Sequence, residues 1–261
     1  MAALIHPTAI VEPGARLGDG VELGAYAYVG AQVELGAGTK LHHHASVEGN
    51  TVLGSGCELF PYACIGGRSQ DLKFRGGNPG LRVGDRNVFR EYVTLHCATH
   101  DGAFTRVGSG NTLLAGCHVA HDCVLVDGVI LANGCMLGGH VHAGDRAFIS
   151  GGVAVHQFCR IGGGSLTSGN AVITEDLPPN GLAHGRNELA GLNLIGLRRR
   201  GVPARAVAEL KRAYHAVYAP GQACAARAQA ELATGSYHTA EGRAFLEFFL
   251  GGKRGRFVQP S

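Results

Sequence analysis

The sequence has no tryptophan, only two methionines among 261 residues, and 16% charged residues, and no uninterrupted apolar run approaches the ~20 residues of a membrane-spanning helix. A chain threaded through a bilayer by a helix is therefore not expected. The first ten residues, MAALIHPTAI, also lack the basic region and long apolar core of a secretory leader. The eight cysteines include no C-x-x-C pair, so a cytoplasmic protein with reduced thiols is the expectation. What charge there is lies unevenly: residues 1–179 hold 11 Lys/Arg against 15 Asp/Glu, and residues 180–261 hold 12 against 5. A basic tail of this kind suits an acidic partner, whether nucleic acid, anionic lipid or acidic protein, or is simply a solvated helical face.

Glycine, by contrast, is abundant at 42 residues, beside an ordinary 45% hydrophobic content. That pairing points away from low complexity and towards a regular, glycine-tolerant architecture. Stepping by six from Ile5 gives Val11, Leu17, Leu23, Val29, Leu35, Leu41, Val47, Leu53, Leu59 and Ile65, all branched aliphatics. Four places after each comes a small or slim residue such as Ala9, Ala15, Val21 or Ala27. The pattern returns at Val83, Phe89 and Leu95, then runs from Val107 to Ile173. A period this long and this regular fits neither a helix nor alternating strands; it is the hexapeptide repeat of a parallel β-helix. Each hexad supplies one strand and one turn, and three hexads make a triangular coil. Coils then stack at roughly 4.8 Å. Gly18, Gly24, Gly30 and Gly36 fall at corners, where backbone freedom is expected to be needed.

Asp71, Gly77 and Asp101 occupy places due an aliphatic, so 66–82 and 96–106 are expected to be loops thrown out from the coil. The period stops at Pro178-Pro179. Beyond it Val207, Leu210, Tyr214, Val217 and Tyr218 form a helical stripe, and Phe245, Leu246, Phe248 and Phe249 another. The reading is mainly β: a parallel β-helix over 1–178 and a helical domain over 179–261.

The stretch Cys117-His118-Val119-Ala120-His121-Asp122-Cys123 has the composition of a metal knuckle. The six-residue phase argues against one, because Cys57, Cys117, Cys123, Cys135 and Cys159 all fall in the small interior slot, where a free thiol packs as a small hydrophobe. The cysteines point inward and the histidines outward, and no metal is expected. Residues 18 apart should stack, so His121, Gly139 and Gln157 form one column and Asp122, His140 and Phe158 the next, with His118 and His156 close by. Such a cluster can serve as a base with an orienting carboxylate and a backbone N–H for an oxyanion, or can be a set of surface histidines.

The strings HVAHDCVL, LANGCMLGGHV, GGVAVHQFCRIGG and GLNLIGLRRRGV, with GGRSQDLKF in the first loop, resemble the acyl carrier protein-dependent UDP-N-acetylglucosamine O-acyltransferases of lipid A biosynthesis, in order along the whole chain. The resemblance implies a left-handed coil, a homotrimer with sites between subunits, and transfer of an (R)-3-hydroxyacyl group from the carrier's thioester to the sugar 3-hydroxyl. No separate cofactor is implied, since the acyl group arrives on the carrier's phosphopantetheine. By position, His121 matches the general base, Asp122 its orienting acid and Gly139 the oxyanion N–H. Gln70, Asp71, Lys73, His118, His140, His156 and Gln157 match substrate contacts, Asn193 and Arg199 match nucleotide contacts, and Gly169 falls where the acyl chain is measured. The resemblance also turns the basic tail towards the acidic carrier, with Arg198, Arg199, Arg200, Lys211 and Arg212 as docking residues and no nucleic acid involved. One departure is Ile195, where the family pattern has an acid; weaker uridine binding, a compensating contact or a different UDP-sugar could follow. A 3-amino sugar giving an amide is the alternative acceptor; a metal hydratase and a non-catalytic scaffold are the remaining ones. The related N-acyltransferase would place a uridine-binding domain before its repeats, which here begin at Ile5.

Overall fold

The structure, a computed structural model, describes residues 2–252 and 255–261. Leu4–Ile5 pairs in parallel with Glu22–Leu23, and that strand with Lys40–Leu41, so residues 18 apart do lie in register. Repetition of this step builds three parallel sheets. The first face runs from Leu4–Ile5 to Leu166–Thr167, the second from Ile10–Val11 to Val172–Ile173 and the third from Arg16–Leu17 to Arg160–Ile161. Most strands have two residues, one pointing out and one in, so the interior is a column of single side chains such as Leu41, Leu59, Phe89, Leu113 and Leu131, all buried. Burial of each is worth about 1.5–3 kcal/mol. The five cysteines assigned to the slim slot are all buried, and none of the eight forms a disulfide.

The corner glycines have a different cause from the one expected. Gly18 and Gly36 do not take positive φ. A β-carbon on either would instead lie 2.7 Å or less from the backbone of the next coil. They are glycines because neighbouring coils approach too closely for a side chain. The left-handed position belongs to the second corner residue and is filled by non-glycines at Asp122, His140 and Phe158, with φ of 60°, 60° and 66°.

Two coils carry insertions. Asn50 pairs with Gly80 and Gly80 with Phe104, so the step between coils widens beyond 18 at these points. The loops are shorter than the sequence suggested, because strands Cys64–Gly67, Gly80–Val83, Thr94–His96 and Phe104–Val107 take their ends and leave 68–79 and 97–103. Backbone pairing outlasts the aliphatic pattern there. Both loops leave the second face and return to the third, so they emerge at the same corner as His121-Asp122.

The ends of the stack differ. Ile5 is 44% exposed, since no coil lies beneath it. At the other end the expected helical domain does not begin at residue 179. Gly181–His184 first extends the first face, and Glu188–Leu192 turns back antiparallel to it. The aliphatic period had ended, yet the open edge still pairs. Four helices follow: α1 (Leu194–Arg199), α2 (Ala204–Val217), α3 (Cys224–Ala233) and α4 (Ala240–Phe248). The two apolar stripes became α2 and α4, packed through Leu210, Val217, Phe245, Leu246 and Phe249. Helices α1 and α3 had no such stripe to announce them. Val258, near the C-terminus, returns to the β-helix core, and Gln259–Pro260 pairs with Glu188–Leu192.

Arg160 fastens this tail to the coil. Its Nε donates to Asp176 Oδ2 at 2.7 Å, Nη2 donates to the carbonyls of Phe248 and Gly251, and the guanidinium lies 4.1 Å from the Phe248 ring centre. Asp176 is buried.

Candidate active site

The corner between the second and third faces gathers most of the chemistry. Backbone bonds from His140 N to His121 O and from Phe158 N to Gly139 O lock three successive turns in line. His121 Nδ1 lies 2.8 Å from Asp122 Oδ2. Burial opposes a charge on Asp122, but hydrogen bonds from His121 and Thr99 and the nearness of His140 outweigh it, and the carboxyl is held below its usual range. An ionised carboxylate can only accept, so the ring proton belongs on Nδ1 and the lone pair on Nε2. Thr105 Oγ1 accepts from the Asp122 N–H at 2.8 Å and fixes the turn.

The two loops are wired into this pair. Thr99, in loop 97–103, places its hydroxyl 2.9 Å from His121 Nδ1 and its N–H 3.2 Å from Asp122 Oδ2. Its hydroxyl also meets Ser69 Oγ at 2.8 Å, and Ser69 in turn accepts from the Asp71 N–H at 3.2 Å. A chain of hydrogen bonds thus runs from loop 68–79 to the imidazole. Asp71 Oδ1 accepts from the Lys73 N–H at 2.9 Å, while Lys73 and Gln70 are exposed. Thr99, Thr105, Ser69 and His96 were not foreseen. Thr99 and Ser69 sit in loops outside the repeat, where stacking arithmetic gives no neighbours. Thr105 holds an interior slot, where a small hydroxyl looks like filler.

Gly139 lies under the imidazole. A β-carbon there would come within 2.5 Å of His121 Cε1 and 2.7 Å of Nε2, so only glycine admits the ring where it is. The Gly139 N–H has no acceptor among the described residues. Gly139→Ala is expected to leave the thermal midpoint near that of the parent while lowering kcat by about 10²-fold or more, through displacement of the ring. A full-activity alanine variant would contradict this placement.

Of the other histidines, His118 accepts or donates at Nδ1 to Thr94 Oγ1 at 2.8 Å, with the His96 ring 5.3 Å away. Burial, then the nearby His96 and His121, keep its pKa below the ordinary value, so it is neutral at neutral pH. His140 stacks on Phe158 with ring centres 4.5 Å apart, and its Nε2 lies 3.7 Å from Asp122 Oδ2. His156 and Gln157 occupy the next turn, where His156 Nδ1 meets Gln157 O at 3.1 Å.

The remaining candidates lie elsewhere on the prism. Gly169 is at the corner between the first and second faces, and a β-carbon there meets only Gly151 O, at 3.6 Å. Asn193 caps α1: its Oδ1 accepts from Gly196 N at 2.9 Å and its Nδ2 donates to Gly164 O at 3.1 Å. Its amide therefore pins α1 to the coil. Between α1 and the first face lies a groove of about 670 Å³, lined by Phe148, Leu166 and Ile195 among others, with Arg146, Arg199 and Arg200 also on it. Arg200 is turned inward to Asn180 Oδ1 at 2.5 Å, and burial, then Arg146, lowers its pKa. Arg212 donates to Ser236 O and covers the Tyr237 ring. Of the five cations expected to dock the carrier, Arg198, Arg199 and Lys211 are exposed, without such partners among the described residues.

A single chain thus displays the expected site residues at three separate places. Known proteins resemble the chain as a whole. The chain is 43% identical to the acyl-[acyl-carrier-protein]–UDP-N-acetylglucosamine O-acyltransferase of Thiobacillus denitrificans over 97% of its length and 98% of that protein's. It belongs to that family. The relative of the same name from Herminiimonas arsenicoxydans is 44% identical over 83% of each chain. The family profile for UDP-N-acetylglucosamine O-acyltransferase, domain 2, matches residues 176–257. Among solved structures, the UDP-N-acetylglucosamine O-acyltransferase of Moraxella catarrhalis aligns with a TM-score of 0.92 at 35% identity, covering 98% of this chain and 99% of that one. The acyltransferase of Campylobacter jejuni aligns at 0.91 and 32%, with the same coverage. The fold is accordingly the left-handed parallel β-helix with C-terminal helices, an exception to the usual right-handed crossover.

Proposed function

We propose that this chain moves an (R)-3-hydroxyacyl group from acyl carrier protein to the 3-hydroxyl of UDP-N-acetylglucosamine, the first step of lipid A synthesis. The observation that carries the mechanism is the His121 ring, held through Nδ1 by Asp122 and Thr99 and seated on Gly139. His121 Nε2 takes the proton of the sugar hydroxyl as its oxygen bonds to the thioester carbonyl carbon. The Nδ1–H bond to Asp122 supports the imidazolium that forms, and the Gly139 N–H stabilises the oxyanion. Collapse breaks the C–S bond, and the proton passes from Nε2 to the departing pantetheine sulfur. No metal or further cofactor enters these steps.

The scattered groups come together if the protein is a homotrimer in which one chain's catalytic corner faces its neighbour's Gly169 corner and α1 groove. A ladder of exposed rings, Tyr26, His44, Tyr62 and Tyr92, runs along the Gly169 corner and suits burial against another chain. In this reading Arg199 meets the diphosphate. The amino-sugar alternative draws no support from the relatives named above. A location in the cytoplasm, where the carrier and nucleotide sugar are made, completes the proposal; no helix among the described residues is long and apolar enough to cross a membrane. The test is transfer from a 3-hydroxyacyl carrier protein to a panel of UDP-sugars, which also probes Ile195; an inactive wild type sinks the reading.

Two outcomes refine it. The open surroundings of Gly169 leave space for a longer side chain, so Gly169→Met should shift preference to shorter acyl chains in a competition between donors. Unchanged preference would remove Gly169 from chain measurement. Docking by Arg198, Arg199 and Lys211 should make KM for the carrier rise with salt between about 50 and 500 mM, whereas KM for the sugar nucleotide rises less. A carrier KM independent of salt would discount the cations.

A further inference from the structure

Among the described residues, one group of side chains has the composition and spacing of a cation site. His121, Asp122 and His140 each offer a ligand atom, and the three atoms lie within 4.8 Å of one another. A tetrahedral zinc with bonds of about 2.0–2.2 Å sets its ligands roughly 3.3–3.5 Å apart. His140 Nε2 and Asp122 Oδ2, at 3.7 Å, already stand close to that spacing. His121 Nδ1 and Asp122 Oδ2, at 2.8 Å, would part by about half an ångström once the proton between them is gone. The group is set up in advance: Asp122 and His140 occupy equivalent left-handed corner positions on successive coils, Thr105 holds the first, and Phe158 stacks on the second. It is also reachable, with His140 33% exposed and the other two 12%. The thiols that would compete within the motif are buried in the coil.

We propose that zinc binds at His121 Nδ1, Asp122 Oδ2 and His140 Nε2, with solvent as the fourth ligand, and thereby switches the enzyme off. Zinc on Nδ1 replaces the ring proton that Asp122 otherwise accepts. The neutral ring then carries its one proton on Nε2, the nitrogen that must take the proton of the sugar hydroxyl. The ion need not cover Nε2 to block the reaction, because it reverses the tautomer. It also engages Asp122 and His140 and so removes the support of the imidazolium. This rests on the role given to His121 above for its effect on turnover, and on the three side chains alone for binding.

The test titrates the full-length chain with zinc chloride by calorimetry, without donor or acceptor. One ion per chain should bind, His140→Ala and Asp122→Asn should each weaken it at least about tenfold, and His43→Ala should have no effect. Thermal midpoints are followed alongside, and Asp122→Asn keeps the shape of the corner if His140→Ala does not. Undiminished affinity in both variants, or its loss in His43→Ala, would move the ion to the run His42-His43-His44 and overturn the proposal, as would no uptake by wild type. Saturating zinc should abolish transfer, with full return on adding EDTA. Transfer that continues with zinc bound at this place would overturn the tautomer block. Because binding is read without substrate, a failure of the catalytic assignment and a failure of the metal site give different results.

Discussion

His121→Ala is expected to lower kcat for acyl transfer by ~10²–10⁴-fold, with the fold intact. The ring lies at a turn and its loss leaves no void in the aliphatic column, so the thermal midpoint should hardly move. What disappears is the ring that, in the proposed mechanism, takes the hydroxyl proton and delivers it to sulfur. Asp122→Asn should cost less, since the amide keeps the turn but can offer its NH₂ to Nδ1 and stabilise the wrong tautomer. Asp122 is kept ionised by its neighbours, so its carboxylate should not account for a fall of rate until the pH drops below the usual carboxylate range. The check is kcat and kcat/KM against pH for the three proteins, with circular dichroism confirming the coil. A His121→Ala enzyme within tenfold of wild type would remove the general base.

Asp176→Ala should be the most damaging change outside the aliphatic column, at about 3–5 kcal/mol, because it strands a charged partner in a largely buried place. Asp176 Oδ1 accepts the Arg160 backbone N–H at 2.7 Å and Oδ2 the guanidinium at 2.7 Å. Arg160 in turn holds the end of α4 through two carbonyls and the Phe248 ring. Losing the carboxylate therefore frees α4 from the coil as well as leaving a guanidinium without its counter-charge. Denaturant unfolding followed by both circular dichroism and tyrosine fluorescence should show the helices leaving before the coil. A loss below about 1 kcal/mol would mean the pair is no more than a surface contact.

Much of this was legible because the fold converts arithmetic into contact. Once Ile5, Val11 and Leu17 set a period of six and three hexads close a coil, His121 must lie beside Gly139, and the structure places them so. The same phase sent Cys117 and Cys123 inward. The reading failed where the chain leaves the lattice. Thr99 and Ser69 act on His121 from loops whose course no period describes. Gly181–His184 and Glu188–Leu192 follow a pair of prolines that looked like a stop, because an unpaired sheet edge recruits strands whatever their side chains. Gly18 was read as a flexible corner when its cause is the coil above it. Asn193 also caps α1 with both amide atoms, a structural part that its match to the nucleotide did not include.

The unequal ends of the stack set an order of events when the molecule comes apart. Each coil is held by the one above and the one below, as in any linear array of repeats. The coil containing Ile5 has a neighbour on one side only, whereas the last coil is closed by a hairpin, Val258 and the helices that Arg160 ties down. Loss of the first coil merely passes its exposed edge to the next, so unwinding is a succession of small steps that starts at Leu4 and travels upward. The corner that holds His121 lies midway along the coil, so in a denaturant titration transfer is expected to outlast the loss of the first coils.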